Sequence, residues 1–232
     1  MLTCAIESPV MRGAEPMSNA RTDRIRLAVF ASGGGSNFEA IVEAVARGAL
    51  PLEVALCLSD RPEAGVLGRA RRRGIPTAIL TPRAFADEGA YVAELLATLE
   101  RRGVTFIALA GYLKLVPAPV VRAFHGRMLN VHPALLPAFG GKGMYGMRVH
   151  RAVLAYGVKW TGATVHLVDE AYDTGPIVAQ EPVPVRDDDT PEALAARVLE
   201  VEHRIYPEAL RFFAEGRVRV EGRRVRILDA PE

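Results

Sequence analysis

IRLAVFA (25–31), SGGGSN (32–37) and FEAIVEAVARG (38–48) follow one another without a gap. The first is a short, mostly apolar run, the pattern of a parallel strand covered on both faces. The second is a turn. The third carries Phe38, Ile41, Val42 and Val45 at helical spacing, with Gly48 as its stop. Strand, turn and helix in that order begin a βαβ unit, and the following residues repeat it. LEVALCLS (52–59) reads as the next strand, 64–73 as a short helix stopped by Gly74, and PTAIL (76–80) as a third strand. A helix over 88–102 presents Tyr91, Leu95, Leu96 and Leu99 on one face. TFIALAG (105–111) is a fourth strand, a short helix follows Pro117, and RMLNVHP (127–133) is a fifth strand ending in polar residues.

Strands alternating with helices at this rhythm predict an α/β fold: an open, mostly parallel, doubly wound sheet with helices on both faces. The pattern then changes. GATVHLVD (162–169) and PIVAQEPVPV (176–185) alternate apolar and polar residues, as an antiparallel C-terminal extension of the sheet would. Thr190 and Pro191 open a long helix with a threonine cap and proline at its first position, and its stripe is Leu194, Val198, Val201 and Ile205. RVRVEGRRVRIL (217–228) reads as a closing hairpin around Glu221-Gly222. With no repeat and no linker, one domain over 24–228 is expected. Residues 1–23 are expected to form a disordered tail, with Met11 or Met17 as an alternative start.

A length of 232 residues allows one or two domains. Half the residues are hydrophobic, as in an ordinary globular chain and unlike a disordered or collagen-like one. The net charge of +2, from 29 basic and 27 acidic residues, gives no global argument for a nucleic-acid or membrane partner. Only Lys114, Lys142 and Lys159 are lysines; the excess of arginine reads as a genomic or thermal habit. Two cysteines, Cys4 and Cys57, are too few for a secreted disulfide framework. No run is long and apolar enough to span a membrane, and residues 1–23 lack the apolar core of a signal peptide. A cytoplasmic protein acting on small molecules is the expectation.

Ser32-Gly33-Gly34-Gly35-Ser36-Asn37 joins the first strand to the first helix. Glycines let a backbone approach a ligand closely, and a helix N-terminus offers unpaired N–H groups and partial positive charge, together a site for one phosphate. The plainer alternative is a tight turn with Ser36 or Asn37 as the cap. A dinucleotide fingerprint matches Gly33 and Gly35 but has Phe38 at its third glycine position; Asp60 stands about where its ribose-binding acid would. No Lys-Ser/Thr follows the glycines, so a Walker loop is excluded.

In Asn130-Val131-His132-Pro133, strand alternation points Asn130 and His132 to one side at the carboxyl end of a strand, where open α/β sheets bind ligands. An amide donor and an imidazole N–H suit an oxygen that gains negative charge when a carbonyl is attacked. Asp173, in a loop between two strands, could orient or charge His132 or relay a proton through water. The structural alternatives are a hydrogen-bonding strand-end histidine and a turn aspartate. No nucleophile elbow is present, and His125, His132, His150, His166 and His203 are dispersed, so neither a covalent enzyme intermediate nor a metal is expected.

At these residues the chain resembles the glycinamide ribonucleotide formyltransferases of the folate-dependent formyltransferase superfamily. The resemblance runs from about Ile25 to the end through VFASGGGSN (29–37), LAGYLKLV (109–116), MLNVHPALLPAFGGKGMYG (128–146), ATVHLVDEAYDTGPIVAQEPVPV (163–185) and EHRIYPEAL (202–210). It implies formyl transfer from 10-formyltetrahydrofolate, a co-substrate, to the amine of 5-phosphoribosylglycinamide in purine synthesis, by a monomer or homodimer. Carried over by position, Gly35, Ser36 and Asn37 would hold the substrate phosphate. Glu202 and Pro133 would bind the ribonucleotide. Asn130 and His132 would stabilise the oxyanion, and Asp173 would keep His132 charged and help move the amine proton. Leu113, Lys114, Leu115 and Val116, with Asn130 and the loop of Asp169, Glu170, Ala171, Tyr172 and Asp173, would hold the folate.

Three departures stand out. Glu88 occupies a place where some relatives carry an arginine toward the folate tail, with Arg83 nearby as a replacement. Lys114 stands where relatives have arginine. The loop 140–146 is longer than in some members, and its glycines read as a mobile flap with Lys142 near the phosphate, or else as a plain surface loop. Three rival functions are distinguishable by assay. A methionyl-tRNA formyltransferase would need a further RNA-binding domain, and a formyltetrahydrofolate hydrolase a regulatory domain. A nucleotide-binding module would bind phosphate without turnover.

Overall fold

The computed structural model describes residues 24–229. The expected tail over 1–23 lies outside the described residues. A seven-stranded sheet runs in the order β3-β2-β1-β4-β5-β6-β7. Its strands are β1 (Arg26–Phe30), β2 (Glu53–Ser59), β3 (Thr77–Ile79), β4 (Phe106–Leu109), β5 (Met128–His132), β6 (Trp160–Leu167) and β7 (Ile177–Pro184). β1 to β5 pair in parallel, whereas β6 and β7 are antiparallel, as the alternating second half of the sequence predicted. A separate hairpin, β8 (Val218–Glu221) and β9 (Arg224–Ile227), closes the described chain.

The helices are α1 (Ser36–Ala46), α2 (Gly65–Arg72), α3 (Glu88–Arg101), α4 (Ala118–Ala123), α5 (Met147–Tyr156) and α6 (Pro191–Ala214). β1 shows why its sequence is apolar without alternation. Leu27, Val29 and Ala31 enter one core cluster, with residues of α1, α2, α5 and α6. Ala28 and Phe30 enter the other, with residues of α3 and α4. Both faces of the sheet are buried here, so from Leu27 to Phe30 every side chain is apolar, and only Arg26, at the strand's half-buried start, is charged. Pro182 and Pro184 fall on β7, the edge strand, where a missing backbone donor costs least.

α6 starts at the expected Thr190 cap, whose side chain accepts from Ala193 N, with Pro191 at its first position. It fixes its phase in the core through Tyr206. The fully buried hydroxyl of Tyr206 lies 3.0 Å from the carbonyl oxygens of both Leu109 on β4 and Leu129 on β5. Tyr206 thus straddles two strands, at the last residue of β4 and the second of β5. Glu202, one turn earlier on the same face, is carried toward that edge.

Two elements went unread in the sequence: α5 and a single 3₁₀ turn over Pro82–Ala84. α5 begins after Gly146 with no side-chain cap and buries only Val149, His150 and Val153. Among the described residues, no helix is long and apolar enough to cross a membrane.

Candidate active site

The strand order reverses at β1, whose neighbours are β2 on one side and β4 on the other. The chain therefore leaves the carboxyl ends of β1 and β4 in opposite directions and opens a crevice between them, the usual ligand site of such sheets. Asn130 pairs with Leu109 in register, level with the end of β4, and His132 lies beyond it. A cleft of about 560 Å³ opens here. Gly33, Leu113–Val116, Asn130, His132, Pro133, Asp173 and part of the 140–146 loop line it together.

The polar centre of the cleft is a four-residue cluster. β6 runs antiparallel to β5 with His166 opposite Asn130, and Asn130 Nδ2 lies 3.1 Å from His166 Nε2. His166 Nδ1 is 2.8 Å from the Leu167 carbonyl, which can only accept, so Nδ1 carries a hydrogen. Asp173, on the loop after β6, sits 3.6 Å from His132 Nδ1 and 3.6 Å from His166 Nε2. Its backbone φ is +57°, a left-handed conformation that a non-glycine residue holds only where its surroundings impose it. Gly141 N donates to Asp173 Oδ2 at 2.8 Å, and His132 Nε2 donates to the Phe139 carbonyl at 2.8 Å. The segment leading into the 140–146 loop is thus tied to both groups. With Nε2 committed, Nδ1 is the nitrogen of His132 left to exchange a proton.

Protonation differs from the expectation that Asp173 keeps His132 charged. Burial pushes the His132 pKa below its ordinary value, and this outweighs the opposing pull of Asp173 and the Phe139 carbonyl. Asp173 goes the other way: burial works to raise its pKa, but His166, His132 and the Gly141 N–H together hold it below the usual carboxylate value. The free protein thus pairs a neutral imidazole with an ionised carboxylate near neutral pH.

The glycine loop has all three carbonyls occupied by donors of the fold. Gly33 O accepts from Val66 N, Gly34 O from Arg69 Nε and Gly35 O from Glu39 N. In a trans peptide the next N–H points opposite to the carbonyl. The N–H groups of Gly34, Gly35 and Ser36 therefore face away from those partners. A Cβ at Gly33 or Gly34 would meet nothing within 4 Å, so packing does not demand glycine there. Gly35 differs: its φ is +77° and a Cβ would lie 2.5 Å from Val66 Cγ2. α1 has Gly35 at its N-cap and no side-chain cap, so neither Ser36 nor Asn37 plays the capping part that the plainer reading offered.

Asn37 instead reaches across to α6. Its Nδ2 donates to Glu202 Oε2 at 2.6 Å, both side chains are buried, and Asn37 Oδ1 has no partner among the described residues. Burial pushes the Glu202 carboxyl up to about 7, against the pull of the Asn37 amide. Glu202 is therefore buried although it stands beside the apolar stripe of α6 rather than in it.

Most of the residues singled out in the sequence share this cleft, with four exceptions on its glycine-loop side and one at its rim. Gly35, Ser36, Asn37 and Glu202 lie behind Gly33 and do not line the cleft itself. Glu170 turns away, forming an exposed ion pair with Arg122 at 2.8 Å. Arg83 and Glu88 line a neighbouring hollow of about 440 Å³ that shares Lys114 and Leu115 with the cleft. Asp60, the acid a dinucleotide site would need, is buried with its carboxylate taken by Ser32 Oγ. His166 was missed because it was weighed only as a metal ligand. Its place in GATVHLV, where it is the one ionisable side chain on a strand, was the available signal. Among the described residues no group of three or more His, Cys, Asp or Glu is arranged to hold a metal ion.

Comparison with known proteins agrees with this geometry. A formyl transferase family model matches residues 25–210. A chloroplastic phosphoribosylglycinamide formyltransferase of Vigna unguiculata is 50% identical over 196 residues, covering 84% of this chain; the chain spans 62% of that relative's length. The Bacillus subtilis phosphoribosylglycinamide formyltransferase is 40% identical over 80% of this chain and 93% of its own. Among solved structures, glycinamide ribonucleotide transformylase 1 from Symbiobacterium toebii superposes with a TM-score of 0.84 at 48% identity. The match covers 89% of this chain and 95% of that one. The chain belongs to the formyl transferase family and, within it, to the phosphoribosylglycinamide formyltransferases.

Proposed function

We propose that the chain carries the formyl group of 10-formyltetrahydrofolate to the amine of 5-phosphoribosylglycinamide, the formyl transfer of purine biosynthesis to which its family membership points. One observation carries the assignment of roles. Gly33 of the anion-suited glycine loop, the wall Leu113–Val116 and the buried Asn–His–Asp cluster line a single cleft. Two substrates bound to the loop and the wall would meet at the cluster.

The ribonucleotide phosphate takes the N–H groups of Gly35 and Ser36 and the helix end behind them. Asn37 contributes its backbone N–H there, because its side chain is turned to Glu202. Asn37 Oδ1 and Glu202 then take the ribose hydroxyls, which supply the donors that Asn37 Oδ1 lacks, and Pro133 flanks the sugar. The folate lies along Leu113–Val116 and the 169–173 loop. Its acidic tail extends into the adjoining hollow toward Arg83 and Lys114.

The amine attacks the formyl carbon, forming a C–N bond. The carbonyl electrons move to oxygen, where Asn130 Nδ2 and protonated His132 Nδ1 receive them. Because His132 is neutral in the free protein, its Nδ1 must first gain a proton. Asp173, ionised and 3.6 Å away, favours that charged form. The amine loses its proton through Asp173, directly or by water. The C–N bond to the folate then breaks, and N10 leaves carrying a proton.

The test offers 10-formyltetrahydrofolate with phosphoribosylglycinamide, with methionyl-tRNA or with water alone. Formylation of the ribonucleotide is expected. Formylation of tRNA, hydrolysis at an equal rate, or binding without turnover would overturn the assignment.

A further inference from the structure

Asp60 stands at the carboxyl end of β2 and is unused in the chemistry above. Its side chain is 2% exposed, and Arg61 Nε, at 3.9 Å, is beyond hydrogen-bonding distance and half in solvent. A carboxylate so buried is costly unless something donates to it. Ser32 does: its Oγ donates to Asp60 Oδ1 at 2.6 Å. A hydroxyl has one hydrogen, so with that hydrogen given to Asp60 the same oxygen is free only to accept. It accepts from the backbone N of Leu113 at 2.9 Å.

The consequence is geometric. Ser32 precedes Gly33 in the glycine loop, and its own N donates to Gly111 O at 3.1 Å. Leu113 opens the wall Leu113–Val116 on the opposite side of the crevice. One hydroxyl thus joins the two substrate-facing segments, and the carboxylate behind it sets the direction of that hydroxyl. A third segment is held from the same residue, since Thr81 Oγ1 donates to the Asp60 carbonyl at 2.8 Å.

We infer that Asp60 is a positioning residue: acting through Ser32, it fixes the backbone of Leu113 and so holds the donor-binding wall at a set distance from the glycine loop. The inference rests on the reading of Leu113–Val116 as the folate wall.

Two readouts separate it from a general role in folding. In Asp60→Ala the hydroxyl loses its anchor, and hydrogen exchange at the Leu113 amide should quicken by about tenfold or more. The KM for 10-formyltetrahydrofolate should rise by a similar factor, about tenfold, while that for phosphoribosylglycinamide and kcat at saturation change less than about twofold. Asp60→Asn keeps an acceptor oxygen for Ser32 and should restore most of both the amide protection and the donor KM. Ser32→Ala, which exposes no buried charge, should reproduce the Asp60→Ala pattern and serves where Asp60→Ala does not fold. Unchanged Leu113 exchange in Asp60→Ala or Ser32→Ala would overturn the inference, and so would an equal rise in both KM values. If the unaltered chain transfers no formyl group, the functional reading fails, while Leu113 exchange still decides whether Asp60 fixes that backbone.

Discussion

Glu202→Gln should make the protein more stable and a poorer binder of its ribonucleotide, with the stability gain appearing only as pH rises. Glu202 is 8% exposed, and its one hydrogen-bond partner among the described residues is the neutral amide of Asn37. Burial raises its carboxyl from 4.5 to about 7. Between those values the folded protein keeps a proton that the unfolded chain has released, so stability falls as pH rises through that window. Below 4.5 nothing is lost; above 7 the full cost is present. At about 1.4 kcal/mol per pH unit the cost amounts to roughly 3 kcal/mol, an upper figure because buried groups relax. Glutamine has the same shape and no charge. Its amide also donates to Asn37 Oδ1, which has no partner now. Thermal unfolding of both proteins at pH 5, 6.5 and 8 checks the idea. A difference of about 2–3 °C at pH 5, already half a unit above the unfolded value, should grow to roughly 6–12 °C at pH 8, since about 1 kcal/mol moves Tm by 2–4 °C in a chain of this size. At pH 8 the ribonucleotide KM should rise about tenfold, because an amide accepts from a diol less strongly than a carboxylate. A gap independent of pH, or a variant less stable at pH 8, would refute the reasoning.

Two further predictions concern the loop and the cluster. Gly35→Ala should destabilise the fold by about 1–3 kcal/mol, from its +77° φ and its clash with Val66. Gly34→Ala, with open space around it, should leave Tm unchanged and raise the KM for ribonucleotide more than that for folate; denaturation curves and two-substrate kinetics read the pair. Asp173→Asn should slow turnover by about 10²-fold or more, since the charge favouring the imidazolium is gone. It should also flatten the acid limb of the stability curve. The lowered Asp173 carboxyl stabilises the fold above its ordinary pKa of 3.8, and that contribution is lost as pH falls through its folded value. Acid titrations followed by circular dichroism and a pH–rate profile measure the two effects.

The fold was legible where burial is uniform. β1, β2 and β4 sit between two layers of helix, so their buried central residues are apolar and the runs short, and little else fits them. α5 was not legible for the opposite reason. MRVHRAVLAY places one narrow apolar edge against α6, opens without a capping side chain and carries two arginines and a histidine. Propensity alone does not set such a helix apart from the loop before it. The candidate site divides the same way. Asn130 and His132 could be put on one face because strand period is local. His166 could not be joined to them, because its contact with Asn130 comes from the register of β5 against β6, residues 36 apart in the chain.

Charge was the property least open to sequence. An Asp placed beside a His argues for imidazolium, and by itself that argument is sound. It omits the desolvation that both side chains undergo when β5 and β6 close over them, and for His132 desolvation is the larger effect. For Glu202 too, burial is the larger effect. The folded chain holds both groups neutral or nearly so. The cost of that neutrality is recovered only when a substrate brings hydrogen bonds and charge of its own. His132 gains its proton as an oxyanion forms beside it, and Glu202 accepts from a sugar. Residues that are uncomfortable in the free protein for this reason should therefore respond to substitution in opposite directions, gaining stability and losing function, whereas Tyr206, whose hydroxyl is satisfied by Leu109 and Leu129 within the fold itself, should lose stability when truncated to phenylalanine.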